Sequence, residues 1–227
     1  MIKNNSIALI IPCYNEADGL KTILPKVPKF VDEVIIVDNN STDNTADVAK
    51  SFECTVLSEK IPGYGAAYKC GFSNVSKDIV ITMDGDDTYP IHEVKQNIEI
   101  LLDNNYDFIT CSRFPLINKS AMNFSNILGN KILTIVTKIL FGTPIKDSQS
   151  GMWVFKKNIF TYISPNSNGM PLSQEIKILA LKHKNINFFE TNISYAPRIG
   201  EVKLDKWRDG FNNLIFLFKL RFKRTYR

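Results

Sequence analysis

The residues best suited to chemistry are Asp84-Gly85-Asp86-Asp87, which close the apolar run DIVITM at residues 78–83. Two carboxylates one residue apart at a strand end can reach the same oxygen-preferring cation. Mg2+ or Mn2+ commonly takes one or two carboxylates and completes its shell with phosphate oxygens and water. A diphosphate-bearing substrate needs such a cation, because its leaving group carries several negative charges. An acidic triplet in a turn is also the signature of an Asx turn or a helix cap, so its neighbours must decide.

Three neighbouring segments favour the metal reading. Pro12-Cys13-Tyr14-Asn15-Glu16 follows the apolar run IALII, and Asp38-Asn39-Asn40-Ser41-Thr42-Asp43 follows EVIIV. Residues 60–67 (KIPGYGAA) form a small-residue loop leading into a helix. Glycine there permits close backbone approach, and a helix N-terminus favours anions. Asp38 also has a plainer reading as a helix-capping turn residue.

These residues need a scaffold, and the pattern supplies one. Short apolar runs at 7–11, 33–37, 55–57, 78–83 and 107–111 alternate with helical patterns at 17–27, 41–50, 65–73 and 91–102. That alternation predicts an α/β fold, a mostly parallel sheet with helices on both faces. Ligands bind such sheets outside the carboxyl ends of the strands, so Asp38 and Asp84 should face one crevice. Further on, 125–141 reads as an amphipathic helix, 151–155 as a strand, 172–182 as a helix and 187–193 as one or two strands. Residues 207–226 close the chain as a helix mixing aromatics with Lys and Arg. The expected organisation is one domain over 1–205 and a basic amphipathic C-terminal helix over 206–227.

Together the motifs resemble glycosyltransferase family 2, an inverting family with the GT-A nucleotide-sugar fold. The resemblance rests on PCYNE at 12–16, IIVDNNSTD at 35–43, GYGAAYKCG at 63–71 and MDGDD at 83–87. Within that family the chain is most similar to the dolichyl- and polyprenyl-phosphate sugar synthases, through SRF at 112–114, DSQSGMWVF at 147–155, SQEIKILA at 173–180 and YAPRIGEVKL at 195–204. The resemblance implies that Pro12, Tyr14 and Glu16 line a nucleotide pocket, with Asp38 at the base or ribose. It implies Asp84 at the sugar or metal, and Asp86 as the main ligand of Mg2+ or Mn2+. It also implies that Arg113 and Arg198 hold phosphate groups, with Lys203 adding positive charge. One departure is visible: Thr88 stands where some lipid-phosphate synthases carry Gln, so Thr88 is left out of the metal shell.

Asp147 separates the mechanistic alternatives. A hydroxyl acceptor needs a carboxylate base, whereas a lipid phosphate is already ionised and needs only cations such as Arg113, Arg198 and Lys203. Asp147 could be that base, could orient those cations, or could be a turn residue. Arg113 could instead pair with a surface carboxylate, and Glu175 could be only a favourable helix-dipole charge. Trp153 and Trp207 read as packing residues, and His92 and His183 as ordinary histidines. The expected activity is transfer of a hexose from a UDP- or GDP-sugar to a polyprenyl phosphate. The alternatives are transfer to a saccharide or protein hydroxyl, a nucleotidyltransferase, and a non-catalytic nucleotide-sugar-binding protein.

Composition fits this reading. The net charge of +5 is uneven: residues 203–227 carry eight Lys/Arg against two Asp, leaving the body near neutral. A basic tail suits an anionic lipid surface. The two amphipathic segments read as interfacial helices, or alternatively pack on the domain or on a second copy. No RNA- or DNA-binding signature is present, so nucleic acid is not expected as a partner. The four cysteines form no CxxC pair, which argues against zinc and disulfides. With no visible secretory signal and no uninterrupted apolar run of ~18–20 residues, the expectation is a cytoplasmic protein bound peripherally to membrane.

Overall fold

A computed structural model describes residues 1–200 and 206–222, the side chains of Lys206 and Trp207 excepted. Lys203 therefore lies outside the described residues. The strands are β1 (Ile7–Cys13), β2 (Glu33–Asp38), β3 (Thr55–Ser58), β4 (Ile79–Thr82), β5 (Phe108–Ser112), β6 (Trp153–Lys156) and β7 (Phe188–Asn192). The helices are α1 (Ala17–Ile23), α2 (Thr45–Ser51), α3 (Tyr64–Asn74), α4 (Val94–Asp103), α5 (Phe124–Phe141), α6 (Leu172–Lys182) and α7 (Lys206–Phe222).

The seven strands form one sheet in the order β3-β2-β1-β4-β6-β5-β7. Four pairings are parallel, and β6 runs antiparallel to both its neighbours, β4 and β5. The sheet is thus mostly parallel, as expected. Strand alternation divides the core: Ile7, Leu9 and Ile11 pack on one face with α1 and α4, whereas Ala8 and Ile10 meet α3 and α6 on the other. Each fully buried aliphatic side chain contributes about 1.5–3 kcal/mol, so β1, apolar on both faces, requires helices on both sides of the sheet.

Helix boundaries differ locally from the sequence pattern. The N-cap position of α2 is Asn44, and Asp43 just before it accepts from Thr45 N at 3.0 Å, while Ser41, Thr42 and the other Asp43 oxygen are engaged by the loop after β1. The pattern at 17–27 breaks into α1 and a 3-10 turn, Leu24–Lys26, where Pro25 removes a donor. The C-terminal helix is packed on the domain over its described length: Leu217 and Leu220 are buried with Leu133 of α5 and Ile178 of α6. One helix among the described residues, α5, is long and apolar enough by length and composition to cross a membrane, although Asn126, Asn130, Lys131 and Lys138 interrupt its apolar run.

Candidate active site

The crevice forms where the carboxyl ends of β1, β2 and β4 meet. After β4 the chain turns through Asp84-Gly85-Asp86, and α1 lies directly against that turn. A Cβ on Gly19 would fall 1.9 Å from the Gly85 carbonyl, so only glycine allows the helix this close. Asp86 is buried, and its Oδ1 accepts from Thr88 N (3.2 Å) and Thr88 Oγ1 (2.6 Å), which fixes the rotamer. Thr88 thus orients the carboxylate. Oδ2 is left facing Arg198, 3.4 Å from Nη2, and the same nitrogen lies 3.4 Å from Glu16 Oε1.

Two cavities open on this turn. One, of about 630 Å3, is lined by Pro12, Tyr14 and Glu16 after β1, by Asn39 and Asn40 after β2, and by Gly63 and Tyr64 at the start of α3. The other, of about 370 Å3, is lined by Arg113, Tyr195, Gln149 and the facing sides of α5 and α7. Tyr64, Asp84, Asp86, Met170, Arg198 and Asp209 belong to both walls. A group bound in one cavity can therefore meet a group bound in the other beside the two aspartates.

The residues fit a divalent cation. Asp84 Oδ1 is buried without a hydrogen-bond partner, an arrangement that costs free energy unless something is bound there. Burial, followed by the charge of Asp86, pushes the Asp84 carboxyl up to about 7. Such crowding of two acids is relieved by a cation. Among the described residues no group of three or more His, Cys, Asp and Glu side chains comes together in metal-ligand fashion. Two carboxylates suffice for a metal whose remaining positions are taken by phosphate oxygens and water.

Arg113 follows β5 and is clamped from several sides. Its Nε donates to Asp147 Oδ2 at 2.7 Å and its Nη2 to Oδ1 at 2.9 Å, while its guanidinium lies 5.4 Å from the Tyr195 ring centroid. Asp147 has no solvent exposure. Its carboxylate also accepts the backbone N–H groups of Arg113, Gln149 and Ser150. Burial alone would raise the Asp147 acid, but Arg113 outweighs that and holds it down at about 2. A carboxylate sealed in, bonded to five N–H groups and that acidic is poorly set to take a proton. Its geometry suits aiming Arg113, and the general-base role considered from sequence finds no support in it.

Other sequence candidates fall elsewhere. Asp38 reaches the same strand edge, but its Oδ1 accepts from Ser41 N at 3.2 Å, and Asn39 and Asn40 form the adjacent cavity wall. Glu175 is buried rather than an exposed helix-dipole charge. Its Oε2 accepts from Asn166 N (3.1 Å) and Ser167 N (2.8 Å), holding the segment whose Asn168 carbonyl receives Ala66 N at 3.0 Å. Trp153 is fully buried and packs against Tyr68. Sequence reasoning missed Tyr64, Met170, Asp209 and the carboxamides on the α5–α7 side. Only Tyr64 carried a signal, since it lies inside the glycine motif.

The sequence profile of glycosyl transferase family 2 matches residues 8–163. The chain is 28% identical over 211 residues to the dolichyl-phosphate hexose transferase of Haloferax volcanii, a match covering 91% of this chain and 90% of that protein. It is 26% identical over 219 residues to the low-salt glycan biosynthesis hexosyltransferase of the same organism, covering 93% of this chain and 53% of the relative. The chain thus spans about half the length of that second relative. Among solved structures, glucosyl-3-phosphoglycerate synthase from Mycobacterium tuberculosis, in complex with Mn2+, UDP-glucose and phosphoglyceric acid, superposes with a TM-score of 0.75 at 19% identity. That match spans 96% of this chain and 80% of the other. The shared architecture is the GT-A fold. The matched profile covers the acidic turn, all three strand ends around it and the Arg113–Asp147 pair, so the chain belongs to glycosyl transferase family 2.

Proposed function

We propose that this glycosyltransferase moves a hexose from a UDP- or GDP-sugar to a polyprenyl phosphate, with inversion, at a membrane surface. The observation that carries the reading is the chemistry of the smaller cavity. It presents a buried Arg113, already aimed by Asp147, beside the aspartates shared with the larger cavity. A planar guanidinium held in place suits a phosphate better than a hydroxyl. The names of the two Haloferax volcanii relatives, a dolichyl-phosphate hexose transferase and a glycan hexosyltransferase, support the same class.

The larger cavity takes the nucleotide, with Pro12, Tyr14 and Glu16 along its wall. Asp84 and Asp86 hold Mg2+ or Mn2+, which when bound offsets the charge developing on the departing diphosphate. Arg198, whose Nε is buried without a partner, lines both cavities and holds phosphate oxygens where the two substrates meet. The acceptor phosphate is ionised near neutral pH, so its oxygen displaces the nucleoside diphosphate at the anomeric carbon without a base. Arg113 orients that phosphate.

A hydroxyl acceptor is the second reading, favoured by one observation. Asp209 of α7 lines both cavities, and among the described residues it is the one carboxylate besides Asp84 and Asp86 shared by the two walls. Incubation of the protein with radiolabelled donor, Mn2+ and either extracted polyprenyl phosphates or glycans separates the two readings. Label in the lipid fraction is expected, and label on glycan alone would reject the lipid-phosphate acceptor.

Membrane contact rests on the outer face of α5 and α7. Phe124, Leu128, Ile132, Ile135 and Ile139 recur at spacings of three and four along α5 and are exposed, as are Phe211, Phe218 and Phe222 on α7. Lys131, Lys138, Lys219 and Arg221 are also exposed on these helices. An apolar face with flanking cations fits an anionic bilayer, to which each cation adds about 1 kcal/mol. Phe218→Ser with Phe222→Ser is expected to weaken binding to phosphatidylglycerol vesicles by about tenfold or more. Unchanged cosedimentation would remove α7 from the membrane face.

A further inference from the structure

Helix α6 contributes no residue to the lining of either cavity, yet it sends buried polar side chains into segments that do. Gln174 Nε2 donates to Asn213 Oδ1 of α7 at 2.8 Å, and Glu175 holds Asn166 and Ser167. The third is Lys177, with no solvent exposure at all. Its Nζ donates to the Asp147 carbonyl at 2.9 Å.

The preceding peptide is gripped by an opposite charge. Glu190, from β7, accepts Asp147 N on Oε1 at 3.1 Å and Lys146 N on Oε2 at 2.7 Å. Asp147 is thus tied at its N–H by Glu190, at its carbonyl by Lys177 and at its carboxylate by Arg113. An ammonium sealed inside a core is costly, and an apolar side chain of similar volume there would commonly be neutral or stabilising. Stability alone does not account for a lysine at this position. Its reach to the one residue that aims Arg113 does.

We propose that Lys177 and Glu190 are positioning residues, which hold the two peptide groups flanking the Asp147 Cα and so keep Arg113 in the register the acceptor phosphate requires. Neither touches substrate. Their effect passes through Asp147 to Arg113 and stops there, because the larger cavity is lined by residues from other elements. The inference rests on the reading of Arg113 as the acceptor-phosphate residue.

The test uses the full chain, a water-soluble short-chain prenyl phosphate as acceptor, and UDP- and GDP-sugar donors with Mn2+. Acceptor KM, donor Kd and Tm are measured for Lys177→Met and Glu190→Gln, each alone and combined with Arg113→Lys. Each single variant is expected to raise acceptor KM by about tenfold, with donor Kd changed by less than about twofold. In the Arg113→Lys background neither should raise acceptor KM further, because residues acting through one partner are not additive. Additive effects, a parallel loss of donor affinity, or an unmoved acceptor KM would overturn the proposal. If Lys177→Met yields no folded protein, Glu190→Gln, whose carboxamide keeps the shape, carries the same expectations. Arg113→Lys alone reports on the underlying reading: an unchanged acceptor KM there rejects the phosphate role of Arg113 itself.

Discussion

Asp86→Asn is expected to remove the metal dependence of donor binding and to lower transfer by about a hundred- to a thousandfold. The carboxylate is the better-ordered half of the acidic pair. Thr88 fixes one oxygen through its N–H and hydroxyl, and the other is turned towards Arg198. Asparagine still offers Thr88 a carbonyl oxygen, so the turn should fold, but the second position becomes an uncharged amide. For the unaltered protein, donor with Mn2+ at about a hundredfold over its Kd adds about 2.7 kcal/mol of stability. That should appear as a rise in Tm of about 5–10 °C for a chain of this size. In Asp86→Asn the rise should no longer depend on Mn2+. Persistence of a metal-dependent shift would mean that the ion is held elsewhere.

Asp147→Asn is expected to cost about 3–5 kcal/mol, lowering Tm by about 6–20 °C, because it strands a buried guanidinium. The amide would also set an N–H2 against the Nε or Nη2 donor of Arg113, which the carboxylate now satisfies at 2.7 and 2.9 Å. Replacing both partners, Arg113→Met with Asp147→Leu, should recover part of the loss, since no unpaired charge remains. Acid supplies a second readout. The folded-state acid lies at about 2 against an ordinary 3.8, so the pair stabilises the fold at pH above the unfolded value and loses that contribution as pH falls towards 2. Denaturant unfolding should therefore show the gap between the unaltered chain and Asp147→Asn narrowing from pH 5 downward. A gap independent of pH would contradict the ion-pair account.

How much of this was legible in the sequence follows from the range of the interactions involved. The strands around the site are continuous apolar runs ending in polar motifs, and local periodicity suffices to place Asp84, Asp86, Glu16 and Pro12 at one sheet edge. Strand order is less accessible. The insertion of β6 antiparallel between β4 and β5 depends on pairings such as Ile81 with Val154, across a separation that no local pattern encodes. Asp147 was visible as a functional candidate, with orienting the cations among its alternatives, but nothing local singled out Arg113 as its partner, because that pairing needs β5 and the loop before β6 to be adjacent. Lys177 and Glu190 were hidden for the same reason: a buried lysine and a surface lysine look alike along a helix until the packing is known. The wall at Gly169 and Met170 gave no signal, being held in place by Glu175 at one remove.

The central claim is that the smaller cavity presents a phosphate, not a hydroxyl, to the sugar bound beside Asp84 and Asp86. It is tested most directly by offering a labelled hexose donor with Mn2+ to two acceptors of identical chain length, a prenyl phosphate and the corresponding prenol. The account predicts labelled hexosyl phosphoprenol from the first and no product from the second. Comparable transfer to the prenol would contradict it.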